Sequence, residues 1–234
     1  MNAVTDTMKT LYDAGAHFGY PRTRRHPSAA PFLYTTKDRT DIFDLAQTES
    51  GLEAAKKFAA SLAQSGRALL FVGGKHEAVE VIKNAAEKIG APYCAGRWIG
   101  GTLTNFKNIR KRIERLEQLT ADKESGELEK KYTKKEQLLL SREVEGLLFR
   151  FGGITKMTDL PGALFVVDVR HEKTAVAEAN QLGIPVISLS SSDCDFAVSK
   201  FPIPANDTSV KSISYITNEI ADAYAEGRRA PAAK

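Results

Sequence analysis

At 234 residues and 42% hydrophobic composition, the chain can bury a sizeable core, and we expect one large domain with an appendage. A net charge of +4 is only mildly basic, so the clustering of the charges is more informative than their sum. No apolar stretch approaches the roughly 20 residues of a membrane helix, and residues 1–6 lack the features of a secretory signal. Cys94 and Cys194 lie far apart, with no CxxC spacing. We therefore expect a cytoplasmic protein with reduced thiols.

The first part of the chain predicts helices around a basic loop and a hairpin. Residues 8–12 read as a short helix that ends at 14–15, and a polar, proline-containing loop follows at 19–27. The β-like runs 32–34 and 41–43 flank a polar turn and predict a hairpin. Residues 49–64 carry apolar side chains at helical spacing, and Gly66 ends that helix.

Apolar strands then alternate with helices. Strand-like runs occur at 68–72, 92–95, 163–167 and 185–189, with a short edge segment at 201–204. Helices are predicted at about 76–89, 173–182 and 208–226. Because unbroken apolar strands must be buried on both faces, the pattern predicts an α/β fold with a three-layer α/β/α arrangement around a mainly parallel five-stranded sheet.

A helical hairpin is predicted to interrupt this alternation at residues 105–150. Its first arm has apolar residues at Ile109, Ile113 and Leu116, and its second has them at Leu140, Val144, Leu147 and Phe151. This spacing lets two antiparallel helices pack together. Arms of about 18 residues would extend roughly 27 Å. A hairpin folded flat on the sheet is the alternative, which its charged outer face disfavours. We expect an α/β domain of residues 1–104 and 151–227, the insertion, and a flexible tail at 228–234.

Basic residues cluster in segments that contain no acid. Residues 14–37, 73–76 and 88–113 form three basic segments that lack Asp and Glu but contain arginine or lysine. A phosphate backbone is the obvious partner for such segments, because the planar fork of arginine matches phosphate oxygens. A solvated charge cluster is the alternative. The turns after the first and second strands of the alternation lie at the carboxyl ends of those strands, where open α/β sheets bind ligands.

No segment predicts catalysis, a cofactor or a metal. The turn at 71–76, FVGGKH, follows a strand and precedes a helix, but it lacks the glycine and the Ser or Thr of a Walker loop and the spacing of a dinucleotide motif. His17 and His26 have no second pair at zinc spacing, and Asp193-Cys194-Asp195 is more typical of a cap or turn. Trp98, the one tryptophan, could be core or a stacking platform for a base.

Several motifs, in order along the chain, resemble the bacterial small-subunit ribosomal protein two family over about residues 8–227. The most specific is RWIGGTLTNF at 97–106. Others are AHFG at 16–19 with Arg24-Arg25, FVG at 71–73 with Lys75, FGGI at 151–154, ALFVVD at 163–168, EAN at 178–180, LGIPVI at 182–187 and PIP at 202–204. The chain departs from the family at His26-Pro27, where Trp-Asn-Pro is usual, and at Asp193-Cys194-Asp195-Phe196, where Asn-Cys-Asp-Pro is usual.

The resemblance implies a flavodoxin-like body with a protruding antiparallel coiled-coil hairpin. It also implies a structural protein that binds small-subunit ribosomal RNA near the head–body junction, with no catalysis and no small-molecule substrate. Neighbouring small-subunit proteins, and the large protein one that brings messenger RNA, are the implied protein partners. The expected location is the cytoplasmic ribosome.

The candidate RNA-binding residues combine the basic segments with these motifs. They are Arg22, Arg24, Arg25, Lys37, Lys75, Arg97, Trp98, Asn105, Lys107, Arg110 and Lys111. Most should contact phosphate and sugar. Two other readings stay open at this point: a nucleotide-binding α/β enzyme, and a module whose coiled coil docks onto another protein.

Overall fold

In the computed structural model, which describes residues 6–229, the N-terminal segment forms a small antiparallel sheet. Its elements are α1 (Asp6–Asp13), β1 (Phe18–Pro21), β2 (Leu33–Lys37) and β3 (Thr40–Phe43), with strand order β1-β3-β2. The predicted hairpin is confirmed as β2 and β3. Strand β1 was not predicted, since its glycine and proline favoured a loop; it pairs with β3 through an irregular register.

A second, fully parallel sheet forms the body. Its elements are α2 (Leu45–Gln64), β4 (Leu69–Gly73), α3 (His76–Ile89), β5 (Tyr93–Ala95), β6 (Ala163–Val167), α7 (Lys173–Gln181), β7 (Val186–Ser190), β8 (Phe201–Pro204) and α8 (Val210–Arg229). The strand order β5-β4-β6-β7-β8 is the doubly wound, flavodoxin-like order. Strand β8 is an edge strand, which is where a sheet tolerates the two prolines of this segment.

Helices cover the parallel sheet on both faces, as predicted. One face, with Phe71 and Phe165, packs against α2, α3 and α8. The other face carries Leu70, Val72 and Leu164 and packs against α7, the loop after β5 and residues that follow it. Every residue of β4, β6 and β7 is buried, which explains the unbroken apolar sequences of β4 and β6; β7 also buries Ser188 and Ser190.

The insertion contains three helices. They are α4 (Phe106–Glu124), α5 (Glu127–Lys131) and α6 (Lys134–Phe151). Helix α5 was not predicted; it begins at Glu127, between the two predicted arms. Arg110 contacts Thr155 beyond the end of α6, and Arg115 lies 3.6 Å from Glu143, so α4 and α6 run antiparallel. The predicted apolar positions face inward and are joined by Leu119; Leu140 is half-buried.

A tight turn covers the edge strand β5 of the parallel sheet. After α6 the chain forms a 3₁₀ turn at Gly152–Ile154. A Cβ atom on Gly153 would lie 2.2 Å from the carbonyl oxygen of Tyr93, so only glycine allows this approach. The turn therefore shields an edge that would otherwise be open to pairing.

Helix α8 extends beyond its predicted end at residue 226. The predicted flexible tail began at residue 228, but Arg228 and Arg229 belong to α8, and residues 230–234 lie outside the described range.

Cys94 and Cys194 are both free thiols. Within residues 6–229, none of the helices is long and apolar enough to cross a membrane.

Candidate nucleic-acid interface

The small N-terminal sheet lies across the carboxyl ends of the parallel strands. The backbone N–H of Tyr20 donates to Ser192 Oγ at 2.9 Å, and that of His26 donates to the Ser192 carbonyl at 2.8 Å. The N–H of Asn206 donates to the carbonyl of Ala16 at 2.9 Å. In open α/β folds a ligand occupies this crevice; here the protein's own strand β1 fills part of it.

Arg25 anchors the first basic loop. Its guanidinium donates two hydrogen bonds to the fully buried carboxylate of Asp41, one of them from Nε at 2.7 Å, and a third to Thr36. The hydrogen bonds to Asp41 raise the pKa of Arg25. Arg25 is therefore paired inside the N-terminal sheet, and it fixes the loop from which Arg22 and Arg24 reach solvent.

Arg22 and Arg24 are the exposed cations of this loop. They lie in a 3₁₀ turn, Arg22–Arg24, and the Arg24 guanidinium is 5.7 Å from the centre of the Tyr20 ring. Arg24 also borders a cavity of about 510 Å³ whose wall carries Lys173. Lys173 is exposed, forms no ion pair within the described chain, and was not among the predicted RNA-binding residues. Lys37 is exposed at the end of β2, beside the hairpin turn.

Lys75 lies in an internal cluster of charges. Its ammonium is 3.1 Å from Asp207, 3.4 Å from Asp168 and 3.1 Å from the Tyr20 hydroxyl, and its side chain is only 15% exposed. Burial by itself would lower the pKa of Lys75, but the two carboxylates outweigh it and the pKa is raised. Lys75 was predicted as an RNA contact, but its ammonium is paired with side chains inside the protein. It is therefore not one of the exposed cations of the interface.

The two acids around Lys75 titrate differently. Burial, together with the negative charge of Asp168, raises the pKa of Asp207 to about 7. Burial would also raise the pKa of Asp168, but backbone hydrogen bonds and Lys75 lower it. Oxygen atoms of these two acids and Cys194 Sγ lie within 4.8 Å of one another, a spacing that could hold a metal ion. The ammonium of Lys75 already contacts both carboxylates, so it supplies positive charge at this cluster itself.

The turn after β4 binds a carboxylate of the protein. The backbone N–H of Gly74 donates to Glu172 Oε1 at 2.8 Å, and Glu172 is only 3% exposed. A Cβ atom on Gly74 would lie 2.2 Å from the carbonyl oxygen of Gly96, so the turns after β4 and β5 are in direct contact. A phosphate at this helix N-terminus would have to displace Glu172, which argues against a nucleotide site here.

Glu178 holds the loop between β5 and α4. Its Oε1 accepts from Trp98 Nε1 at 3.1 Å and from the N–H of Gly101 at 2.8 Å. Its Oε2 accepts from the N–H groups of Leu103 and Thr104, at 3.0 and 3.1 Å, and from the Thr104 hydroxyl. Burial would raise the pKa of Glu178, but these hydrogen bonds lower it, so the group is a carboxylate at neutral pH.

Trp98 belongs to the core. Its side chain is 8% exposed, and its indole N–H is taken by Glu178, so the ring predicted to contact RNA is not open to a base. The one sequence signal for this arrangement is Glu178, an acid on the same side of α7 as Ala175 and Ala179. It did not lead to a prediction, because nothing in the sequence indicates which residues it contacts.

The start of the insertion presents the remaining candidates. Arg97, Asn105, Lys107 and Lys111 are exposed. Arg110 is half-buried; it donates to the carbonyl of Thr155 at 2.9 Å and lies 3.3 Å from Glu117. Arg110 therefore ties α4 to the segment after α6.

A continuous path of contacts connects the three basic segments on the carboxyl side of the sheet. Arg24 lies over Tyr20, Tyr20 bonds to Lys75, Gly74 touches Gly96, and Arg97 is the next residue. We use the term basic rim for the exposed cations along this path and at the start of α4: Arg22, Arg24, Arg97, Lys107 and Lys111. Tyr20 and Lys75, which lie on this path, fill the crevice with protein side chains.

Known proteins are similar to this chain over nearly its whole length. A model of the family described as ribosomal protein S2 matches residues 11–227. Small ribosomal subunit protein uS2 of Coprothermobacter proteolyticus is 44% identical over 222 residues, 95% of this chain and 82% of that protein. The protein of the same name from Acidothermus cellulolyticus is 43% identical over 227 residues, 97% of this chain and 82% of that protein. The family match and these relatives show that the chain belongs to the ribosomal protein S2 family.

Proposed function

We propose that this protein is a structural constituent of the small ribosomal subunit, that it binds ribosomal RNA through the basic rim, and that it is not an enzyme. Family membership supports the ribosomal role, and the relatives above carry the name of that subunit. The observation that carries the RNA-binding part is the contact path that brings three acid-free basic segments to one side of the sheet.

The rim has the chemistry of a phosphate-binding surface. Its arginines and lysines are exposed and have no ion pair within the described chain, so their charges are available. The loops that carry them are fixed from inside, by Arg25 on Asp41 and by Glu178 on residues 98–104. A pre-ordered row of cations positions a protein on a folded RNA mainly through phosphate and sugar contacts.

The nucleotide-binding alternative has little support from the geometry. The usual ligand crevice of the fold is taken up by Tyr20, Lys75 and their carboxylate partners. The helix N-terminus that would meet a phosphate faces Glu172. Equilibrium dialysis with ATP, NAD and FMN is expected to give no binding below millimolar concentration.

We propose that α4 and α6 form a protruding antiparallel coiled coil that extends the RNA-binding surface. Buried apolar residues line the contact between the two helices, and the outer faces are charged. Where this hairpin begins, its apolar residues join the same buried cluster as Leu70 and Val72, so its base also covers the sheet. Deleting 107–148 distinguishes the docking-module alternative, because an RNA-binding protein should keep its contacts through the body loops.

The finer placement rests on the family resemblance. We propose a position near the head–body junction of the small subunit in the cytoplasm, in contact with neighbouring small-subunit proteins, with protein one as a further partner. Protection of ribosomal RNA from chemical modification by the bound protein would test the position. Pull-down of protein one with small subunits that carry or lack this chain would test the partner.

The central test is salt-dependent binding to small subunits depleted of their own uS2. The double substitution Arg22→Ala with Arg24→Ala should weaken binding and flatten the plot of log K against log salt by about 1.4 to 1.8, if each arginine neutralises one phosphate. The matched control removes the same charge at two exposed lysines on the opposite layer, Lys57→Ala with Lys211→Ala. An unchanged slope for the arginine pair would contradict the proposed interface.

A further inference from the structure

The end of α6 exposes a phenylalanine ring to solvent. Phe149 is 80% exposed, the highest value among the large apolar side chains of residues 6–229, and Leu148 beside it is 49% exposed. The inward face of the helix is formed by Val144, Leu147 and Phe151, so Phe149 lies outside the contact with α4. Single exposed apolar residues are common, and so the surroundings of this one must carry any functional argument.

Those surroundings form a cationic cleft. Phe149 and Arg150 line one side of a cleft of about 230 Å³, and Glu80 and Lys83 of α3 line another, with Arg97 also at its wall. Arg97 and Lys83 are exposed and form no ion pair within residues 6–229. Glu80 is the only acid among the lining residues.

The cleft is continuous with the basic rim. Arg97 belongs to both, and it follows Gly96, which contacts the turn after β4. An RNA strand that lies on the rim therefore passes the cleft. A flat π face beside several cations matches one kind of partner, an unpaired nucleotide whose base stacks on the ring while its phosphates meet the cations.

We propose that this cleft binds an unpaired nucleotide of the RNA, with its base stacked on Phe149 and its phosphates against Arg97, Lys83 and Arg150. This inference rests on the proposed function and names the kind of RNA that the rim recognises at this point. It predicts contact with a single-stranded or bulged position, since a base within a helix cannot offer its face to the ring.

Substitutions at Phe149 separate stacking from general apolar contact. Phe149→Ala should weaken binding to uS2-depleted small subunits by about 5-fold to about 150-fold, the range found when base-stacking aromatics are removed. Phe149→Trp should retain binding, and Phe149→Leu should not, because leucine lacks a π face. The matched control is Leu139→Ala, which removes a 55% exposed side chain of the same helix outside the cleft.

The dependence on salt gives a second readout. Loss of Phe149 removes no charge, so its effect should be the same factor at low and high salt, whereas Arg97→Ala should also flatten the salt slope. Full binding by Phe149→Leu would overturn the stacking proposal. Wild-type binding by Phe149→Ala, together with weak binding by the Arg22 and Arg24 double variant, would overturn this inference and leave the proposed function standing.

Crosslinking identifies the partner directly. A photoreactive benzoylphenylalanine placed at position 149 in assembled small subunits should give a crosslink to RNA, at a nucleotide that is unpaired in the RNA secondary structure. A crosslink to another protein, or to a base-paired nucleotide, would overturn the proposal. If neither Phe149→Ala nor the double arginine variant binds more weakly than the wild type, then the RNA contacts of the proposed function fail as well.

Discussion

Replacing Glu178 with glutamine tests whether one buried carboxylate holds the loop from Trp98 to Thr104. Both oxygens of Glu178 act only as acceptors, and together they meet five donors. Glutamine keeps one oxygen and adds an NH₂ group, which is a donor. The less costly orientation turns the NH₂ group toward Trp98 Nε1 and the N–H of Gly101, and it leaves these two donors without an acceptor.

The magnitude follows from the contacts. Each buried donor without a partner costs about 1–3 kcal/mol. Trp98 is 8% exposed and should be near the upper part of that range, whereas Gly101 is only half-buried and can be hydrated. The other three bonds also lose their negatively charged acceptor. We therefore expect Glu178→Gln to destabilise this loop by about 2–4 kcal/mol.

Trp98 makes the assay specific, because it is the only tryptophan of the chain. In urea, the Trp98 emission of Glu178→Gln should shift to the red before the far-ultraviolet circular dichroism changes, while both signals change together in the wild type. Trp98→Phe is the comparison for stability by circular dichroism, because it removes one donor and leaves the carboxylate with four. A variant with the wild-type urea midpoint and unshifted emission would refute the reasoning.

Three further predictions concern the body. Arg25→Ala leaves the fully buried carboxylate of Asp41 unpaired, which should cost about 3 kcal/mol or more in urea unfolding; Arg24→Ala, an exposed cation over Tyr20, should cost less than about 1 kcal/mol, and equal costs would contradict the pairing. The pKa of Asp207 is raised from 3.8 to about 7 in the folded chain. Between these two pH values the folded chain retains a proton that the unfolded chain has released. The contribution of Asp207 to stability therefore falls as the pH rises from 3.8 to about 7. The urea midpoint of Asp207→Asn should therefore fall less from pH 4 to pH 7 than that of the wild type, and parallel curves would exclude this titration. Gly153→Ala should destabilise by at least about 1–3 kcal/mol because a Cβ atom collides with Tyr93, while Gly100→Ala, with no atom within 4 Å, should leave the melting temperature unchanged.

The sequence predicted the elements whose patterns are local. The buried strands β4 and β6 have unbroken apolar runs, and β7 is apolar apart from Ser188 and Ser190. The apolar spacing of residues 109–116 and 140–151 predicted the packing of α4 against α6. Helix α5 was missed because it has only five residues, four of them charged, which is too short for an apolar period to show. Strand β1 was missed because Gly19 and Pro21 are poor strand formers; pairing with β3 overrides that local preference.

The candidate site was predictable only as a set of basic segments. Charge clustering located Arg22, Arg24 and Arg97, but it did not distinguish an exposed cation from one that pairs internally. Lys75 illustrates the difference, since its partner Asp168 lies 93 positions further along the chain and nothing local marks the pair. Glu178 is 77 positions from Gly101, and its role likewise depends on the fold. Long-range pairing of this kind has no periodic signature in a sequence.

The closure of the crevice by the N-terminal sheet has a consequence for the biosynthesis of the chain. Ala16, Tyr20 and Thr48 leave the translating ribosome early, yet their hydrogen-bond partners Asn206, Ser192 and Pro204 are made more than 150 residues later. The early segment cannot reach its final arrangement until residues 192–206 have been made, so its apolar surface stays uncovered until then. A nascent chain truncated before β7 should therefore be cut by protease within residues 14–44, and a chain that extends through α8 should resist.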